Sequence, residues 1–217
     1  MSGANIISPP VLIIGAGIGG LSLAHALLRH GVNFRIFEQA PEIKEVGAGI
    51  QIPPNAMKVL RALGLEDAIL SRAFQPESIE TRMGQTGREV FTIPLAEYSA
   101  TRWGVPYLHI HRADLHRILF DAAIDAGAKI HSGNQAMRYT QTDNQITLHL
   151  DQHTATGDIL IGADGLHSQI HTQMLGQQKP QFTGQIAWRG LVPAKALPTG
   201  AIPPDANAWL GPGAHFV

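Results

Sequence analysis

The sequence predicts an α/β fold in which a parallel sheet is interleaved along the chain with a second, mostly antiparallel layer of strands. Three observations predict it. A four-residue apolar run, Val11–Ile14, leads into a cluster of glycines and then into a helical pattern. A second strand, Val32 to Phe37, follows that helix after a short break, which is the strand–helix–strand order that parallel pairing requires. Between Ser78 and Pro94 the pattern changes from helical periodicity to short alternating strands punctuated by glycine.

Val11–Ile14 is short, partly β-branched and continuously apolar, as a strand buried on both faces is. Gly17 to His30 places Leu21, Ala24, Leu27 and Leu28 on one helical face, and Gly31 stands where a helix ends. Val32–Phe37 is closed by Glu38. Pro54 opens a helix with Met57, Leu60 and Leu63 at helical spacing before Gly64. Ile79–Met83 and Glu89–Ile93 flank Gly84-Gln85-Thr86-Gly87, which reads as a hairpin. Helical periodicity returns over Arg112–Ala126 and stops at Gly127, before a short strand at Lys129–His131. A second hairpin spans Arg138–Leu150 and turns at Asp143-Asn144. Ile159–Ile161 is a buried strand that runs into Gly162-Ala163-Asp164-Gly165. After Lys179 proline and glycine crowd the chain, and no long helix is predicted.

The totals narrow the function classes. At 217 residues, 44% hydrophobic and 15% charged, the chain can bury a substantial core. A formal net charge of −1 gives no electrostatic case for nucleic acid or for an anionic membrane. The absence of cysteine excludes disulfides, zinc–thiolate sites and a thiol nucleophile, and agrees with a cytoplasmic location. Val11–Leu28 is uncharged over 18 residues, yet four glycines within six positions break it as a membrane helix, and no Lys or Arg precedes it as in a signal peptide. No metal site is expected: His109 and His111 alternate on a strand, His116 lies on the next helix, and no nearby acid completes a shell.

Gly15-Ala16-Gly17-Ile18-Gly19-Gly20 contains G-x-G-x-x-G between a strand and a helix. Such glycines permit a tight turn, let the backbone approach a pyrophosphate and let the helix pack closely on the strand. The anion then meets free N–H groups at the positive end of the helix. Glu38, 18 residues after Gly20 at the end of the second strand, is placed to accept from a ribose hydroxyl. A Rossmann-type dinucleotide site follows, with Gly15, Ala16, Gly17, Gly19, Gly20, Glu38 and the adjoining Gln39 as its candidates. The motif alone leaves NAD and FAD open.

Three further segments carry a resemblance. They are Glu45-Val46-Gly47-Ala48-Gly49-Ile50-Gln51 followed by Pro53-Pro54-Asn55-Ala56; His111-Arg112-Ala113-Asp114-Leu115; and Gly157-Asp158 leading to Gly162-Ala163-Asp164-Gly165. In this order they resemble the single-component FAD-dependent aromatic hydroxylases, of the salicylate hydroxylase type. The resemblance implies FAD as cofactor, NADH or NADPH as reductant, and hydroxylation of a small aromatic substrate with O2. It implies that Arg112 contacts the FAD, that Asp164 meets the FAD ribose, and that Gly49 and Gln51 lie along the flavin with Gln51 near the ring. Some relatives carry histidine at the Gln51 position. His215 matches a histidine that faces the substrate in some relatives, so Gln51 and His215 are the catalytic candidates.

Two departures accompany the resemblance. His171 stands where the family has arginine after the Asp-Gly pair, which weakens the reading of reductant binding. The sequence also has no second flavin segment of the Gly-Asp-Ala kind, and it ends in what reads as a strand around His215. The expectation is therefore an FAD-binding domain at 1–75 and 104–180, and a partial substrate domain at 76–103 and 181–217. An open sheet edge near His215 would invite association. The alternative is a truncated or split FAD-binding piece without activity of its own. A nicotinamide-dependent dehydrogenase on the same strand–helix–strand unit lacks support from the Arg112 and Asp164 segments.

Overall fold

Every residue of the first strand is buried, which places it inside a sheet and not at its edge. The computed structural model describes residues 10–42, 48–200 and 203–217; Glu45, Val46 and Gly47 of the Glu45–Gln51 motif lie outside the described residues. In chain order the elements begin β1 (Val11–Ile14), α1 (Ile18–Arg29), β2 (Phe34–Glu38), β3 (Gly49–Ile52), α2 (Pro54–Ala62) and α3 (Glu66–Leu70). They continue with β4 (Ile79–Met83), β5 (Glu89–Ile93), α4 (Leu95–Trp103), β6 (Leu108–His111), α5 (Arg112–Asp125) and β7 (Ile130–Ser132). The last are β8 (Ala136–Gln141), β9 (Ile146–Leu150), β10 (Thr154–Gly157), β11 (Ile159–Gly162), α6 (Gln169–Leu175), β12 (Ala206–Gly211) and β13 (Ala214–Phe216). The chain packs as two compact units, Met1–Glu45 with Leu115–Ile186, and Val46–Asp114 with Ala187–Val217.

In the first unit, β11, β1, β2 and β7 form a sheet in that order, all parallel. One face carries Leu12, Ile14 and Phe37, and packs with Leu148, Leu150 and Ala155 of the antiparallel strands β8–β10. By alternation Ile13 and Ile36, both fully buried, point to the opposite face, where α1 contacts β2. His25 Nε2 lies 2.9 Å from the Leu119 carbonyl oxygen and ties α1 to α5 on that side.

That contact adds His25 to the expected face of α1, on which Leu21 and Ala24 are buried. The helix buries Gly20, Leu21, Ala24 and His25, while Leu27 and Leu28 are only half-buried. A histidine with a hydrogen-bond partner is as acceptable inside as a leucine. β2 also begins at Phe34 instead of Val32, because the chain first makes the turn at Gly31, φ +64.

In the second unit, β13, β12, β4 and β5 form a sheet in which β12 runs parallel to β4 and both outer pairs are antiparallel. Both β4 and β5 have the bounds the sequence predicts. Asp205 Oδ1 accepts from the Ser78 N–H and hydroxyl, each at 2.9 Å, which pins the start of β12 to the residue before β4. A separate antiparallel ribbon, β3 with β6, buries Ile52, Leu108 and Ile110 together with Met57 and Leu60 of α2. The expected division into functional domains cuts the chain elsewhere: α2, α3 and the β3–β6 ribbon, placed with the FAD-binding part, lie within the second compact unit.

Candidate functional site

The glycine turn sits at the C-terminal end of β1. Gly15 N–H donates to Phe37 O at 2.8 Å and Ala163 N–H donates to Ile14 O at 2.7 Å, so three strand ends are laced together there. Gly15 has φ +100, and a Cβ on it would run into the Ala163 carbonyl oxygen. A Cβ on Gly20 would run into the Gly15 carbonyl oxygen. Gly17 and Gly19 differ: a Cβ on either meets none of the described residues within 4 Å. Gly15 and Gly20 therefore serve close packing, and Gly17 and Gly19 leave the backbone open to approach. α1 starts from Gly17, which has no side chain of its own to cap the first-turn N–H groups.

Ala16, at 1% exposure, is held from both sides. Its N–H donates to Glu38 Oε2 at 2.8 Å, and its carbonyl oxygen accepts from His116 Nε2 at 2.7 Å. Glu38 Oε1 accepts the Ala40 N–H at 2.9 Å, which anchors the other half of the carboxylate, and Gln39 between them is exposed. Sequence reading missed His116. The signal that could have found it is its place on the buried face of α5, next to Leu115 and three residues before Leu119.

Asp164 follows Ala163 at the wall of the turn. Its carboxylate holds the start of α6: Oδ1 accepts from the Ser168 hydroxyl at 2.5 Å, and Oδ2 accepts the N–H groups of Gln169 (2.8 Å) and Ile170 (3.3 Å). Ser168 in turn accepts the His171 N–H at 2.9 Å, and the His171 side chain is exposed. Asp164 is thus a helix-capping residue first.

The remaining candidates belong to the second unit. Gly49 pairs with His111 and Gln51 with His109 across the β3–β6 ribbon. Arg112 opens α5, its N–H donating to Ala48 O at 3.1 Å, and His111 Nδ1 accepts the Ala113 N–H at 3.3 Å. Arg112 and Gly49 are therefore brought to one end of the ribbon. Phe74 exchanges both backbone hydrogen bonds with His109, each at 2.7 Å, and the Tyr107 and Phe74 rings lie 5.7 and 6.5 Å from the imidazole. Burial holds His109 below its ordinary pKa of 6.5 and Tyr107 above its ordinary 10.0. His215, on β13 opposite Leu210, is exposed at a depression of about 500 Å³ that Trp209 and Phe216 also line.

A family model described as FAD binding domain matches residues 8–207. The chain belongs to that family. Among its relatives, the 6-hydroxynicotinate 3-monooxygenase of Pseudomonas fluorescens is 37% identical over 97% of this chain and 54% of its own length. The 3-hydroxybenzoate 6-hydroxylase of Polaromonas naphthalenivorans (strain CJ2) is 38% identical over 96% of this chain and 52% of its own length. The structure of Klebsiella pneumoniae HpxO complexed with FAD and uric acid superposes with a TM-score of 0.69 at 32% identity, covering 79% of this chain and 43% of that one. The chain spans about half the length of the curated relatives it matches. No helix among the described residues is long and apolar enough to cross a membrane.

Proposed function

We propose that this chain supplies the FAD-holding part, and some of the substrate-holding part, of a monooxygenase that hydroxylates a small aromatic of the salicylate or hydroxybenzoate type with NADH or NADPH and O2. The observation that carries the proposal is the start of α1 on Gly17, which has no side chain to cap it, beside Glu38, in a chain of the FAD binding domain family. The residues fit the cofactor. A diphosphate needs open backbone N–H groups, and the space over Gly17 and Gly19 is clear. A ribose needs an acceptor, and each Glu38 oxygen uses one hydrogen bond within the protein while a carboxylate oxygen accepts about two.

When bound, FAD supplies the electron and oxygen chemistry of such a reaction. The chain's own residues bind and orient. Gly15 and Gly20 shape the turn, Gly17 and Gly19 present it, Glu38 takes the ribose with Gln39 beside it, and Arg112 offers its planar fork to the diphosphate or ribityl chain. We assign Gly49 and Gln51 to the flavin ring, and His215 to orienting a phenol or taking its proton. Asp164 contributes chiefly by fixing the 162–165 segment against Gly15, with the remaining capacity of Oδ1 for a ribose hydroxyl. On this reading 1–75 and 104–180 serve FAD, and 76–103 and 181–217 serve the substrate. A cytoplasmic location belongs to the same proposal, as does association through β13, which ends its sheet.

A second reading has one observation in its favour, the half-length match to the relatives. On it, the 217-residue chain holds nucleotide weakly and hydroxylates nothing unaided, since a reactive flavin needs an enclosed, dry site. One experiment separates the two: flavin retention through gel filtration, followed by NADH or NADPH oxidation with salicylate or 3-hydroxybenzoate and direct assay of product. Hydroxylated product from the chain alone establishes the first reading and ends the second. FAD bound without product supports the second. Binding that Gly17→Ala leaves unchanged would overturn both.

A further inference from the structure

The end of the parallel sheet away from the glycine turn carries a cavity that the proposed function does not use. It has a volume of about 350 Å³, and its polar lining comes from Asn33, Arg35, Lys129, Gln145 and Thr156. Arg35 precedes Glu38 by three residues on β2, which puts it about 10 Å back along the strand from the nucleotide end. All of these residues lie in the first compact unit.

Two cations sit abreast at this cavity. The parallel register pairs Ile36 with Ile130, and Ile36 N–H donates to Lys129 O at 3.1 Å, so Arg35 and Lys129 stand next to each other on neighbouring strands. Like charges in such a position repel. Among the described residues the lining contains neither Asp nor Glu. The excess of positive charge extends behind the pair. His131, stacked on Phe37 at 5.1 Å, is held below its ordinary pKa first by burial and then by Arg35, His153 and Lys129.

The Arg35 guanidinium is also incompletely used. Nη2 donates to the Thr156 carbonyl oxygen at 2.8 Å, and the group lies 5.8 Å from the centre of the Phe37 ring. Nε is buried and has no hydrogen-bond partner among the described residues. An arginine held by a carbonyl, with its Nε donor left over, offers its guanidinium to a planar or tetrahedral oxyanion. Lys129 adds a mobile point charge from the exposed side, and Gln145 and the Thr156 hydroxyl add neutral polar groups.

We propose that this cavity is a binding site for a phosphate group, separate from the dinucleotide site at the other end of the same strands. The phosphate is either orthophosphate or the terminal group of a small phosphomonoester. Binding relieves the Arg35–Lys129 repulsion and engages the Arg35 guanidinium, whose Nε has no partner among the described residues.

The test is an NMR titration of the 217-residue chain, purified without phosphate, following the Arg35 Nε–Hε signal at constant ionic strength with chloride as the balancing anion. Orthophosphate is one arm and glycerol phosphate the other. The expected result is a saturable shift of that signal. Lys129→Gln, a change at an exposed position, should weaken it by about fivefold or more, as the loss of a charge-assisted contact does. Arg35→Gln should abolish phosphate-dependent thermal stabilisation. Stronger saturation by glycerol phosphate identifies an esterified ligand, and stronger saturation by orthophosphate identifies the free ion. No saturable shift in either arm, an equal response to chloride, or undiminished binding in Lys129→Gln would overturn the proposal. FAD retention should be the same in wild type and Lys129→Gln; a parallel loss of FAD would mean that the cavity is not separate from the nucleotide site.

Discussion

The imidazole of His116 meets the carbonyl oxygen of Ala16 at 2.7 Å, joining α5 to the glycine turn across 100 residues of sequence. A carbonyl carries no proton, so Nε2 must be the protonated nitrogen and the donor. Together with Glu38 on the Ala16 N–H, it clamps both main-chain polar groups of Ala16, and so two successive peptide units of the turn. His116→Ala should cost about 1–3 kcal/mol of stability through the carbonyl left unpaired, and should weaken FAD binding although His116 is not assigned to the cofactor. His116→Gln, whose amide N–H falls near Nε2, should recover part of both losses. Thermal unfolding and FAD titration of the same samples check this; unchanged FAD affinity in His116→Ala would show that the clamp does not set the turn.

Glu38→Ala removes the acceptor for Ala16 and Ala40 N–H as well as the proposed ribose contact. FAD affinity should fall by about 1–3 kcal/mol, on the scale of a lost hydrogen bond to a charged group. Glu38→Gln keeps one carbonyl acceptor and should lie between wild type and Glu38→Ala. Direct titration with FAD decides it, and equal affinity in all three would remove Glu38 from the site.

The four glycines should separate into two kinds. Gly15→Ala places a side chain against the Ala163 carbonyl at a backbone angle that L-residues avoid, and should destabilise the chain by more than about 2 kcal/mol. Gly17→Ala meets open space, so the fold should survive while the approach of a diphosphate is blocked. Chemical denaturation should therefore move for Gly15→Ala, and FAD affinity alone for Gly17→Ala. The reverse pattern would contradict the assignment of the two roles.

Arg112→Ala should lower flavin content per purified chain more than Arg112→Lys, because lysine keeps the charge and loses the planar fork. Full and equal occupancy in both variants would sink the contact between Arg112 and FAD.

His109 and His131 are both held below the ordinary histidine pKa, first of all by burial. Their folded pKa values lie below the unfolded ones, so the unfolded chain binds protons first as pH falls. Stability should be unaffected by these groups well above the ordinary value of 6.5, and should decline as pH drops through it towards the lowered folded values. His109→Phe, which pairs as well with Phe74 and Tyr107, should flatten part of that decline. A denaturation series from pH 8 to 5 measures it; an identical slope in wild type and His109→Phe would exclude His109 as a contributor.

Elements whose signals are local were legible. β1, the β4–β5 hairpin and the start of α5 lie where the apolar runs and glycines put them. Others were missed although the cues were present. α4 begins after Pro94 and ends at Gly104, φ +70, but its exposed face hides the helical period. α6 is seven residues long and depends on Ser168 and Asp164 for its first turn, so it has little periodicity of its own. β3 and β10, four residues each, become strands only through the partners beside them.

The sequence by itself determined that a strand, a glycine turn, a helix and a second strand ending in Glu38 follow one another, because the turn's steric demands and the helix periodicity are written within some thirty residues. It also determined the family, through motifs spread in order along the chain. Only the tertiary structure decided what each polar group does. It spent Asp164 on the start of α6, set His116 against Ala16 and His25 against Leu119, and put Arg35 beside Lys129. Those pairings depend on sheet order and register, which bring distant residues within hydrogen-bonding distance, and no local pattern of residue types encodes which two will meet.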